Sequence, residues 1–216
     1  MAFRDRADAG RSLVAALAHL AGRRDVVVLG LARGGVPVAY EVAVALHAPL
    51  DVLLARKLGA PGHPELAMGA IASGGLRVLN RSVVDALRIP AEAVEAVVAR
   101  ETAELGRREQ AYRPGRPQLD VGGRVAVVVD DGLATGATMR AAVGALRAQS
   151  PARVVAAVPV GARRTCDELA AEADEVVCLQ RPASFHAVSE WYDDFAQVTD
   201  DDIRALLARK EDEHAH

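Results

Sequence analysis

The amino-acid sequence predicts an α/β fold built on a doubly wound parallel sheet, and three observations carry that prediction. Short apolar runs rich in β-branched residues alternate with segments of helical period along most of the chain. Two of those runs, Val26-Val27-Val28-Leu29-Gly30-Leu31 and Val127-Val128-Val129, end in loops of small residues that lead into helical patterns. Hydrophobic residues make up 51% of the chain and aromatic ones only 3%. The core is therefore Ala, Val and Leu, as in strands buried on both faces under Ala-rich helices.

In order along the chain, residues 5–20 place Leu13, Leu17 and Leu20 on one face of an amphipathic helix. Residues 25–31 form a first strand and residues 38–46 its helix. Residues 50–57 read as a second strand, which the Pro- and Gly-rich run at 59–64 ends, because such a run continues neither helix nor strand. Residues 68–72 and 76–79 are two shorter strands joined at Ser73-Gly74-Gly75, a hairpin inserted as a small hood. Residues 91–112 carry Val94, Val98, Leu105 and Tyr112 at helical spacing until Arg113-Pro114-Gly115-Arg116-Pro117 breaks the pattern. The strand ending at Val129, a helix to Gln149, a strand over 153–158, a helix over 163–173 and a strand over 175–179 complete the doubly wound order. With 216 residues, no internal repeat and no linker, residues 1–216 read as one domain, whose tail over 181–216 belongs to the hood or to a homodimer interface.

Charge and cysteine content narrow the function. A net charge of -3 and the lack of a basic stripe exclude a nucleic-acid binder. No apolar stretch is long enough to span a bilayer, and the start Met1-Ala2-Phe3-Arg4-Asp5-Arg6 lacks the apolar core of a signal peptide, so a cytoplasmic location is expected. Cys166 and Cys178 fit that compartment; Cys178, within an apolar strand, reads as an inert buried thiol.

The chemistry lies at two strand ends. After Val129 come two adjacent acids, Asp130 and Asp131, and then Gly132, Leu133, Ala134, Thr135, Gly136, Ala137 and Thr138. Paired carboxylates accept hydrogen bonds from vicinal hydroxyls, and the loop points backbone N–H groups and two hydroxyls at one phosphate. An unforced turn has no need of adjacent acids, and a P-loop would end in Gly-Lys-Ser/Thr, whereas this loop has no lysine. After Leu31 come Ala32, Arg33, Gly34 and Gly35: a guanidinium fork for phosphate oxygens and two glycines that admit close backbone approach. In a parallel sheet both junctions reach the carboxyl edge, where α/β folds bind ligands.

Three β-branched residues, two acids, three residues and Thr-Gly-x-Thr resemble the signature of the type I phosphoribosyltransferases, whose substrate is phosphoribosyl pyrophosphate (PRPP). The resemblance extends over nearly the whole chain to a group of bacterial phosphoribosyltransferase-like proteins without an assigned acceptor. It implies that Asp130 and Asp131 hold the ribose hydroxyls, that Gly132 to Thr138 anchor the 5′-phosphate, and that Ala32, Arg33, Gly34 and Gly35 form the pyrophosphate loop, with a strained or cis linkage at Ala32-Arg33 or its neighbour. It implies displacement at the anomeric carbon by a nitrogen heterocycle, with Mg²⁺, carried by PRPP and the two aspartates, screening the departing pyrophosphate. A PRPP sensor without turnover and a hydrolase using water at the same site share these motifs.

Several residues remain open between two roles. Arg56 and Lys57 either meet pyrophosphate or close a strand in water, and Lys57 is the favoured ligand. His63 and Glu65 lie where a loop closes over the site. Arg107, Arg108, Arg113 and Arg116 form either a lid or a solvated helix end, and His214 and His216 end the chain as at most a weak metal binder. Phe185, Trp191, Tyr192 and Phe195 concentrate the aromatics, as an acceptor-stacking wall in which Phe185, Trp191 and Tyr192 line the pocket, or as a core or dimer plug. Ala134 stands where the 6-oxopurine enzymes carry an Asp, which removes base assistance from that position, and Gly35 replaces the aromatic residue common in the adenine enzymes.

Overall fold

A computed structural model describes residues 2–114 and 117–214, with Glu65 and His214 through their backbone alone; Gly115, Arg116 and His216 lie outside the described residues. The order of elements is α1 (Arg6–Val14), a 3-10 turn (Ala15–Leu20), β1 (Val26–Leu31), α2 (Gly35–Ala45), β2 (Leu50–Leu53), β3 (Ala55–Ala60), β4 (His63–Ala72), β5 (Leu76–Leu79), α3 (Arg81–Ala86), α4 (Ala91–Tyr112), β6 (Val125–Val129), α5 (Ala137–Arg147), β7 (Arg153–Val160), α6 (Arg163–Leu169), β8 (Glu175–Gln180), a 3-10 turn (Val188–Trp191) and α7 (Asp200–His214).

The main sheet is parallel throughout, in the order β2-β1-β6-β7-β8. Alternation along its central strands sorts side chains into two layers. Val26 and Val28 of β1 and Val125, Val127 and Val129 of β6 share one core with Leu13, Val38, Val42, Ile203 and Leu207. Val27, Leu29, Ala126 and Val128 share the other with Met139, Val143, Leu146 and Leu169. The strand order reverses between β1 and β6, which are hydrogen-bonded neighbours, so the two loops singled out above leave the sheet side by side.

A second sheet, antiparallel β3-β4-β5, forms the hood and corrects three expectations. Residues 50–57 are two strands, because β1 ends at Leu31, opposite Leu53, and offers the chain no further parallel partner. Beyond it Leu54 N–H donates to Ser73 Oγ at 3.0 Å, Ser73 N–H donates to the Leu54 carbonyl at 2.8 Å, and the chain turns into the hood. The run over 59–64 does not end the strand either; Pro61 and Gly62, with Gly62 at φ 75, form a tight turn between β3 and β4. β4 accordingly runs from His63 rather than from Met68. The Ser73-Gly74-Gly75 hairpin is present, with φ 80 and 73 at its glycines.

The tail over 181–216 divides. Tyr192 lies against Asp131 and Val188 against Gly132, while α7 packs Ile203 and Leu207 into the main core. A reciprocal cap starts α7: Asp202 N–H donates to Thr199 Oγ1 at 3.2 Å and Thr199 N–H donates to Asp202 Oδ2 at 2.8 Å.

Candidate active site

The loops after β1 and β6 press together. A methyl group on Gly34 would lie 2.0 Å from Asp131 Oδ2, and one on Gly35 would lie 2.3 Å from the Val129 carbonyl and 2.8 Å from Asp130 Cα, so no other residue fits either position without displacing the acids. The Ala32-Arg33 peptide is cis, at the position the resemblance implied.

The acids themselves are half-buried rather than solvent-facing. Asp130 Oδ1 accepts the Asp131 N–H at 2.9 Å, and Asp130 N–H donates to the Ala157 carbonyl at 3.2 Å. Asp131 Oδ2 accepts Arg6 Nε at 2.8 Å, and its carbonyl accepts the Tyr192 hydroxyl at 2.5 Å. Burial pushes the Asp130 carboxyl well above the usual carboxylate range, with the adjacent Asp131 charge acting in the same sense. Burial also raises Asp131, against the pull of Arg6.

Arg6 went unread in the sequence. Its guanidinium lies 3.9 Å from the centre of the Phe195 ring and donates to the Ala196 carbonyl at 2.7 Å, tying α1, the acid pair and the tail together. Nothing local in Phe3-Arg4-Asp5-Arg6 distinguishes this arginine from its neighbour Arg4, which pairs with Asp8.

Thr135 to Thr138 lie at the start of α5, whose first N–H groups have no partner within the helix. Gly136 takes φ 74, and a methyl there would meet the Thr165 methyl at 2.5 Å. The loop is held from behind: Thr165 Oγ1 donates to the Ala134 carbonyl at 2.7 Å, Leu133 N–H to the Val160 carbonyl at 2.9 Å, and Ala162 N–H to the Leu133 carbonyl at 2.9 Å. The side chains of Thr135 and Thr138 are exposed. Among the described residues no three His, Cys, Asp or Glu converge on a metal. Two adjacent carboxylates nevertheless suit Mg²⁺, which keeps its waters and is bound by one or two carboxylates together with substrate phosphates.

Arg56 is drawn away from this edge by Glu101, 2.6 Å from its Nε, whereas Lys57 lines a cavity of about 550 Å³ with Thr135, Ala137 and Arg140 between the hood and α5. Arg33 Nε lies 3.1 Å from Asp200 Oδ1 of α7, and Asp200 in turn accepts the Tyr112 hydroxyl at 2.8 Å. His63 is exposed at the β3-β4 turn, and Arg107 and Arg108 pair with Glu104 on the surface of α4. Arg113 is buried away from the site; it donates to the Val52 carbonyl and to Ser73 Oγ, each at 3.2 Å, and lies 3.4 Å from Asp51.

The aromatic segment splits. Tyr192, 6% exposed, packs with Phe3 and Phe195 at ring-centre distances of 5.6 and 5.0 Å and commits its hydroxyl to Asp131. Trp191 and Phe185 are half-buried, and Val188 covers Gly132.

The chain is similar to known proteins over most of its length. Residues 4–194 match the family model of the phosphoribosyl transferase domain. Two curated relatives from Mycobacterium tuberculosis strains, named provisionally as phosphoribosyl transferases, are 53% identical over 207 residues, which is 96% of this chain and 46% of theirs. The chain thus spans about half the length of the curated relatives it matches. The crystal structure of TT1426 from Thermus thermophilus superposes with a TM-score of 0.88 at 47% identity, covering 97% of this chain and 99% of that one.

Proposed function

The chain belongs to the phosphoribosyl transferase family, and from that premise we propose that it is a Mg²⁺-dependent phosphoribosyltransferase that moves ribose 5-phosphate from PRPP to a nitrogen heterocycle with release of pyrophosphate. The observation that carries this reading is the contact between the two loops, in which Gly34 and Gly35 lie directly on Asp130 and Asp131. A diol held by the acids would then have its 5′-phosphate over Thr135 to Thr138 and its anomeric oxygen towards Arg33.

Each residue has a role set by its place. Asp130 and Asp131 accept the ribose hydroxyls and orient the ring, and Arg6 and Tyr192 hold Asp131 in position from behind. Arg33 and Lys57 neutralise the pyrophosphate as it leaves, and the N–H groups of the Thr135 loop fix the other end of the substrate. Asp130 and Asp131 would hold Mg²⁺, which when bound would supply charge neutralisation to a leaving group that otherwise departs poorly. No protein nucleophile is needed. Phe185 and Trp191 offer the stacking face for the acceptor ring, Tyr192 supporting them from the core.

Incubating the protein with PRPP, Mg²⁺ and a panel of heterocyclic bases, and measuring pyrophosphate, tests this directly. Base-dependent release is expected; base-independent release identifies a hydrolase, and binding without release a sensor. Asp130→Asn combined with Asp131→Asn should leave the protein folded and abolish PRPP binding in calorimetry. Unchanged affinity in that variant defeats the assignment of the acids.

A further inference from the structure

Two thiols that this chemistry does not use meet directly behind the phosphate loop. Cys166 lies on α6, fully buried, and Cys178 on β8, half-buried. A methyl group on Gly161 would lie 2.8 Å from Cys166 Sγ and 3.3 Å from Cys178 Sγ, so both sulfurs abut the same glycine from neighbouring elements. The Cys178 S–H donates to the Gln180 carbonyl at 3.2 Å, and the neighbouring Cys178 thiol, with Arg181 nearby, holds Cys166 down at about 7, while the same proximity and burial push Cys178 up. Cys166 and Cys178 thus behave as a pair that shares one proton near neutrality, and the proton's position between them is exchangeable.

The connection to the loop is short. Thr165, adjacent to Cys166, donates to the Ala134 carbonyl, and Gly161 forms a parallel bridge with Leu133. We propose that Cys166 and Cys178 are a modification site that closes to a reversible intramolecular disulfide by exchange with a low-molecular-weight organic disulfide, and that closure shifts α6 and with it the loop carrying Thr135 to Thr138. Cys178, the more accessible sulfur, passes its proton to the Cys166 thiolate and attacks the reagent disulfide; an S–S bond forms on Cys178 and one reagent thiolate leaves. Cys166, giving up its proton to that leaving thiolate, then attacks Cys178 Sγ, and the second reagent thiolate departs and is protonated. The pair loses two electrons and its one shared proton, and the reagent, taking a second proton from solvent, is reduced to two thiols. A covalent S–S bond of about 2.05 Å is shorter than any contact between unbonded sulfurs, so α6 and β8 must approach each other.

The disulfide stands apart from the functional reading, whereas its effect on PRPP rests on that reading. The experiment treats the full chain with oxidised glutathione and follows intact mass, peptide connectivity and backbone hydrogen exchange. Expected are loss of the mass of two hydrogens, a Cys166-Cys178 linked peptide, reversal by dithiothreitol, and faster exchange over residues 133–138 with PRPP binding weakened several-fold. The Cys178→Ser variant should show none of these. A persistent glutathione adduct or an unchanged mass overturns the disulfide. A disulfide with unaltered exchange over 133–138 overturns the coupling to the loop. If neither redox form binds PRPP while exchange responds as expected, the functional reading fails and the inference stands.

Discussion

At Gly34 the acid pair leaves no room for a methyl group, which sits 2.0 Å from Asp131 Oδ2 if built on the backbone. Gly34→Ala should therefore lower PRPP affinity by at least about tenfold, roughly 1.4 kcal/mol. Gly106→Ala in α4, where a methyl meets nothing, should raise stability by about 0.5–1 kcal/mol and leave binding alone. Calorimetry and thermal melts separate the two outcomes. Asp130 makes a prediction of opposite sign. Its carboxyl is raised above its unfolded value, so its contribution to stability is full below the ordinary Asp range and is lost as pH rises through the raised value. Asp130→Asn should thus melt higher than the wild type at pH 7–8, with the difference closing as pH falls towards about 4. A constant difference across that range would contradict the burial argument. At this scale the glycines and acids were legible in the sequence because the chemistry constrains neighbours in the chain. Arg6 was not, since its partner lies 125 positions away.

Among the elements, α7 connects the core to the loop after β1, through Asp200 and Arg33. Ile203 is fully buried, and Ile203→Ala should cost about 2–5 kcal/mol in denaturant unfolding. Asp200 at the tip of the same helix is 41% exposed and faces Arg33, also partly exposed, so removing the pair should change stability by less than about 1 kcal/mol. Its effect should fall on binding instead. Asp200→Asn releases Arg33 from a competing carboxylate, and inorganic pyrophosphate with Mg²⁺ should bind several-fold more tightly. Equal or weaker binding would show that Asp200 supports Arg33 rather than competing for it. This helix is poorly legible in the sequence because its apolar positions, Ile203 and Leu207, are few among charged residues. The Thr199 and Asp202 spacing of its cap was the available signal.

At the scale of the whole molecule, the alternation of apolar runs and helical patterns was enough to place five parallel strands, because burial on both faces imposes the same composition on each. The hood's first strand was misjudged at Leu54, where the sequence stays apolar while the hydrogen-bonding partner changes from β1 to the Ser73 turn. A change of partner leaves no trace in residue periodicity. Arg113 fixes that junction from within, and Arg113→Met should cost roughly 3–5 kcal/mol by leaving Asp51 buried without it. A urea titration measures that loss, and a loss under about 1 kcal/mol would show that Asp51 is satisfied by the Val52 and Leu119 N–H groups it already accepts.

The clasp around Asp131 has a further consequence in the order of synthesis. Phe3 pairs with Tyr192, Arg6 reaches Ala196, and Tyr192 and Arg6 hold the backbone carbonyl and the carboxylate of Asp131, which emerges from the ribosome some sixty residues before Tyr192. A nascent chain ending near residue 180 already contains every loop that would touch PRPP, yet its acid pair lacks the Tyr192 hydroxyl and the Phe195 ring that seats Arg6. The candidate site is thus completed only after residues 192–196 have been made, by the same segment that bridges to Phe3 and Arg6.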